Sequence, residues 1–107
     1  MNLPNVISEL VRTQNNYDSV AYANCFSETA TVLDEGNTYN GKAEIKEWID
    51  QSNKQVKPVM KAIAYQELKK ENILVAELSG EFPGSPVVMK FHHTLENGLI
   101  KTLKITS

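Results

Sequence analysis

The chain has one cysteine, Cys25, among 107 residues, which excludes an internal disulfide and every zinc pattern built on paired cysteines. It has two histidines, His92 and His93, adjacent in sequence. Neighbours on a strand point to opposite faces, so the two cannot grip one ion, and no metal is expected. The 11 basic and 13 acidic residues are scattered, with a net charge of -2 and no basic stripe of the kind that tracks a phosphate backbone. Nucleic acid is therefore not an expected partner. No segment approaches the ~18 apolar residues that span a bilayer, so no membrane partner is expected. The N-terminus "MNLPNVISELV" lacks the basic start and apolar run of an export signal. With the missing disulfides, this reads as a reducing, cytoplasmic setting.

What is present is ordinary for a soluble globular chain: 41% hydrophobic and 22% charged residues. With no repeat, linker or low-complexity tract, residues 1–107 read as a single domain. Leu3, Val6, Ile7, Leu10 and Val11 recur at helical spacing up to "QNN". Asp18 suits the N-cap of a second, short helix, "SVAYANCF", with Tyr22, Cys25 and Phe26 on one face. Cys25 reads there as a small core residue. "TATVLDEG" is rich in β-branched residues and closes on turn formers, as a strand does, and the stretch from Glu35 to Gly41 reads as a mobile rim loop. "KAEIKEWIDQSNKQV" sets Ile45, Trp48, Ile49, Ser52 and Val56 on one face of a third helix. Four runs follow, "VMKAIAYQEL", "NILVAELSGEF", "PVVMKFHHTLE" and "LIKTLKITS", separated by turn signals as in an antiparallel meander. The order ααβαββββ, with helices and strands in runs, is that of an α+β fold with helices on one face of a curved sheet.

The run "YDSVAYANCFSETATVLDEGNTYNGKAEIKEWID" resembles the front half of the nuclear transport factor 2-like superfamily, in its polyketide cyclase (SnoaL-like) and ketosteroid isomerase-like branches. The likeness is carried by Asp18, Phe26, "ETATV" and "YNGKAEI", and at the other end by "KFHHTLENGLIKTLKI", which is similar to the closing hairpin of those proteins. It implies a cone-shaped, cystatin-like curved antiparallel sheet wrapped around three helices, with a cavity at the open end and a homodimer packed through the sheet. No cofactor is expected. Isomerases, cyclases, dehydratases and non-catalytic proteins share that fold, so fold alone leaves function open.

Ala30, Val32 and Asp34 fall on one side of the first strand, and the resemblance puts Asp34 where ketosteroid isomerases carry their general base. Two readings stand: a base on an apolar wall, or the first residue of a "DEGN" turn. The same resemblance calls for a tyrosine at the position of Leu10 and an aspartate near Phe91 or His92, and this sequence has neither. Steroid isomerisation is accordingly disfavoured. Parity on the strand sends Val87, Met89, Phe91 and His93 inward and His92 outward. His93 is the second catalytic candidate, against the alternative of a hydrogen-bonded core histidine. Tyr17, Phe26, Val32, Tyr39, Trp48, Met89 and Phe91 are expected to bind the ligand. Tyr39 and Trp48 are the choices for the rim, because each has a polar atom and both flank the loop after Asp34.

Three functions are compatible with this reading. The chain binds a small apolar molecule in its cavity. Or it also moves a proton from carbon beside a carbonyl, with Asp34 as base and His93 or Tyr39 as donor, in an isomerase, cyclase or dehydratase reaction. Or it is a non-catalytic dimerisation or partner-binding module, marked by an apolar patch around Ile73, Val75 and Val88.

Overall fold

A computed structural model describes all residues, 1–107. The helices are α1 (Asn5–Asn15), α2 (Ser19–Ala23) and α3 (Gly41–Val56), and the strands are β1 (Phe26–Asp34), β2 (Asn37–Asn40), β3 (Val59–Glu67), β4 (Asn72–Ser79), β5 (Val87–Glu96) and β6 (Leu99–Thr106). The six strands form one sheet in the order β2-β1-β6-β5-β4-β3. Every pairing is antiparallel except β1 with β6, which is parallel. Three helices on a curved α+β sheet is the architecture expected from the sequence.

Two local differences have physical causes. The expected rim loop is a hairpin: Glu35 (φ 51) and Gly36 (φ 79) take the positive dihedrals of a two-residue turn, so Asn37–Asn40 folds back onto β1 as an extra strand. The order is thus ααββαββββ. The second helix ends at Ala23 rather than running through Phe26, because the Cys25 carbonyl accepts from the Ile100 N–H at 2.9 Å and draws the chain to β6.

Helix starts follow the sequence. Asp18 caps α2 by accepting from the Ala21 N–H at 3.0 Å, and Glu44 reaches back to the Asn40 N–H at 2.9 Å at the start of α3. Register shifts between Phe26 and Thr31, Ala62 and Ala64, and Thr94 and Leu95 break the ladder and bend the sheet around the helices. The core lies between: Ile7 and Leu10 of α1, Tyr22 of α2 and Ile45 and Ile49 of α3 pack against Leu74, Phe91, Ile100 and Leu103. Each such side chain contributes roughly 1.5–3 kcal/mol when fully buried.

The edge strand β3 is capped at its start. The Asn15 side chain accepts from the Met60 N–H at 2.7 Å and donates to the Met60 carbonyl at 2.9 Å, standing in for a neighbouring strand. Beside it, the buried Gln14 amide donates to Asn53 Oδ1 at 2.9 Å and to the Pro58 carbonyl at 3.3 Å. Together these bonds fix the end of α1 across the entry to β3, at one end of the cone.

Candidate functional site

At that end the helices and the sheet part to leave a hollow of about 410 Å³. The helical repeat of α3 brings Trp48, Ser52 and Val56 to one wall, and the two-residue repeat of β5 brings Val87, Met89 and Phe91 to the other. Met60, Leu78 and Ile105 complete the apolar lining, and Phe82 and Pro83 close over it from the loop after β4. That loop is held close because Gly80 has no side chain: a Cβ there would lie 2.6 Å from the Val56 carbonyl. The Glu81 N–H donates to the same carbonyl.

Polar groups in this hollow are few. Asp34, at the end of β1, is half-buried at its mouth. Burial pushes its carboxyl above the ordinary range, Glu35 pushes it further, and the Trp48 indole N–H acts in the opposite direction. Tyr22 lines the same hollow near Asp34 and is more fully buried, only 2% exposed. Burial drives its phenol far above the normal value, and the nearby Cys25 and Asp34 add to the shift, so the hydroxyl stays protonated. No hydrogen bond in the protein uses that hydroxyl, and the residue is part of the lining of the hollow.

Outside Asp34 the mouth widens into a second hollow of about 580 Å³ that shares Asp34, Glu35, Trp48, Ser52 and Val56 with the first. Its walls add Tyr39, Glu44 and Glu47. Tyr39 stacks on Trp48 with ring centroids 5.4 Å apart, and Tyr22 meets the same indole at 6.2 Å. Asp34, Glu35, Glu44 and Glu47 take no part in the ion pairs of the fold, which use Glu9, Glu28, Asp50, Glu71, Glu81 and Glu96. No lysine, arginine or histidine lines either hollow.

Of the residues expected at the site, the structure brings together Asp34, Trp48, Met89 and Phe91 in the inner hollow and sets Tyr39 in the outer one. Four expectations are corrected. His93 points inward as parity required, but it is 1% exposed and lies outside both hollows, held by Tyr65 and by the Phe91 carbonyl. Phe26 and Val32 are fully buried core residues, because α2 stops short and β1 turns both into the packed interior. Tyr17 lies on the surface, where its backbone turns at positive φ and its hydroxyl donates to the Lys57 carbonyl at 2.9 Å. His92 lies on the outer face, as strand parity required, with Nδ1 2.7 Å from Glu71 Oε2 and Nε2 2.9 Å from Thr106 Oγ1. Tyr22, Gln14 and Phe82 were not foreseen. Tyr22 had one signal, a hydroxyl on a helix face otherwise suited to the core.

Comparison with known proteins gives no match to any family model and none to a curated protein. Solved structures do match. A provisionally named polyketide cyclase from Sinorhizobium meliloti superposes with a TM-score of 0.92 at 28% identity, over 97% of this chain and 95% of that one. A protein of ketosteroid isomerase-like fold from Catenulispora acidiphila, solved with trimethylamine, gives 0.87 at 14% identity over 99% and 87%. An uncharacterised cystatin-fold protein from Novosphingobium aromaticivorans gives 0.81 at 11% identity over 100% and 99%.

Proposed function

Because the chain belongs to the nuclear transport factor 2-like superfamily, among its SnoaL-like and ketosteroid isomerase-like proteins, we propose that it binds one small, largely apolar molecule in the inner hollow. The observation that carries this reading is a mostly apolar hollow holding one half-buried carboxylate, Asp34, and one phenol without a partner, Tyr22. Apolar walls supply affinity, and a few placed polar groups fix orientation. Titration of the ¹⁵N-labelled protein with a panel of apolar fragments is expected to shift the amide signals of Ile49, Met89 and Phe91 together. Fragments that bind elsewhere, or nowhere, would remove the proposal.

A second reading adds proton transfer, and the juxtaposition of Asp34 with Tyr22 favours it. A carboxylate raised in pKa is a stronger base, and a phenol held neutral can donate to an oxyanion as charge develops on a carbonyl oxygen. Asp34 would take the proton from the carbon beside that carbonyl, with Tyr22 in the donor role. The measurement is exchange of α-hydrogen for deuterium on a bound ketone, followed by NMR. Loss by about 100-fold or more in Asp34→Asn is expected, and unchanged exchange would exclude Asp34 as base.

We propose further that a second copy of the chain covers the outer face of the sheet, where Val59, Ile63 and Val88 are exposed. Sedimentation is expected to give a dimer for the native chain and a monomer for Val88→Asp.

A further inference from the structure

We infer that the molecule taken up at this site is an organic cation, an amine with an apolar body. Its ammonium group would sit at the mouth between Asp34, Glu35 and the Trp48 ring, and its body in the inner hollow. This rests on the binding reading above and makes Asp34 a counter-ion rather than a base.

The charge at the mouth is the first reason. Asp34, Glu35, Glu44 and Glu47 converge on the linked hollows, none forms an ion pair, and no basic side chain lines either space. Elsewhere on the same surface, carboxylates such as Glu9 and Asp50 are matched by Arg12 and Lys54 at 2.7 and 3.1 Å. Concentrated negative charge beside low-dielectric walls attracts cations and repels carboxylates and phosphates. An anionic ligand is thus disfavoured before it reaches the hollow.

The aromatic wall is the second reason. Trp48 lines both hollows, backed by Tyr39 at 5.4 Å and in contact with Tyr22 at 6.2 Å. An ammonium over an aromatic face is attracted by the electron-rich ring, and indole is the best such face among the side chains.

Tyr22 is the third and independent reason. Tyr22 lines the hollow with a side chain only 2% exposed, and its hydroxyl has no hydrogen-bond partner in the protein, which leaves a hydrogen-bonding position for a ligand. Its oxygen can accept an ammonium N–H.

The test uses Trp48, the only tryptophan, as reporter, with calorimetry as a reading independent of it. Four probes are titrated at neutral pH and low salt: cyclohexylmethylamine, the neutral cyclohexylmethanol, cyclohexanecarboxylate and methylammonium. The full-sized amine is expected to bind about tenfold or more tighter than the alcohol, and the carboxylate weakest. Methylammonium, which lacks the body, should bind at least about tenfold more weakly than the full-sized amine. Asp34→Asn should erase the amine's advantage while leaving the alcohol within about twofold, and Tyr22→Phe should weaken the amine alone by a few fold. An alcohol that binds as well as the amine overturns the inference and leaves the binding reading intact. Methylammonium binding as tightly as the larger amine would show attraction by surface charge only, which also overturns it. If none of the probes binds by either method, both readings fall together.

Discussion

The Tyr65 hydroxyl lies 3.0 Å from Nε2 of His93, while Nδ1 of the same ring lies 2.9 Å from the Phe91 carbonyl oxygen. A carbonyl only accepts, so Nδ1 carries the hydrogen and Nε2 accepts from Tyr65. The ring is a neutral imidazole with both nitrogens satisfied. Burial lowers its pKa below the ordinary 6.5; the Phe91 carbonyl and Glu71 act against that, and His92 acts with it. Below about pH 6.5 the unfolded chain binds a proton that folded His93 refuses, so this contribution is complete above that pH and is lost as pH falls toward the folded value. The urea midpoint is therefore expected to drop from pH 7.5 to 5.5. The ¹⁵N shifts of His93 should report the Nδ1–H form throughout that window. Titration of His93 at or above the ordinary value would contradict this.

Asp34 has the opposite sign. Its carboxyl is raised in the folded chain, so the folded state binds the proton more tightly than the unfolded one. Stability attributable to it is present at low pH and is lost as pH rises through the folded pKa. Asp34→Asn should consequently raise the melting temperature of the ligand-free protein at pH 7, with the difference vanishing near pH 3. A lower melting temperature at pH 7 would mean that Asp34 is an essential structural partner.

Phe26 and Met89 should separate stability from binding. Phe26 is 0% exposed in the core, and Phe26→Ala is expected to cost roughly 3–5 kcal/mol. Met89 already faces the hollow, so Met89→Ala should cost under about 2 kcal/mol while enlarging the space offered to a ligand. Denaturation with parallel fragment titration checks both. A milder Phe26→Leu variant that still folds should keep the binding profile unchanged, whereas Met89→Ala should shift it toward larger fragments.

How much of this was legible in the sequence depended on whether a local rule applied. The period of α3 and the parity of β5 placed Trp48, Met89 and Phe91 correctly, because each rule is local and the sheet has one inner face. Asp34 was legible for the same reason, at the end of a strand whose inward residues are small and apolar. Tyr17, Phe26 and Val32 were misplaced because distinguishing core from cavity depends on how far apart two walls stand, which no single segment encodes. His93 faced inward as expected, yet its partner Tyr65 comes from β3, 28 positions earlier, so its engagement could not be foreseen. The β2 hairpin was hidden by the low strand propensity of "NTYN", which the turn at Glu35 and Gly36 overrode.

Gly80 provides a test of the loop that roofs the hollow. Adding a methyl group puts carbon 2.6 Å from a backbone oxygen of α3, and backbone cannot yield as a flexible side chain can. Gly80→Ala is expected to cost about 1–3 kcal/mol and to loosen the approach of Phe82, with weaker fragment binding as the second reading. A variant as stable as the native chain, with unchanged binding, would show that the loop is free to move.

Strand β6 lies between β1 and β5, so it is the only link in the sheet between the β1–β2 hairpin and the β3–β5 meander. During synthesis, everything up to Glu96 can emerge with the interior still open and two strand edges unpaired. Leu99–Thr106 must arrive before either half has a neighbour across the gap. The final strand thus works as a keystone, and a chain arrested just before it would present the two adhesive edges that invite clumping and capture by chaperones.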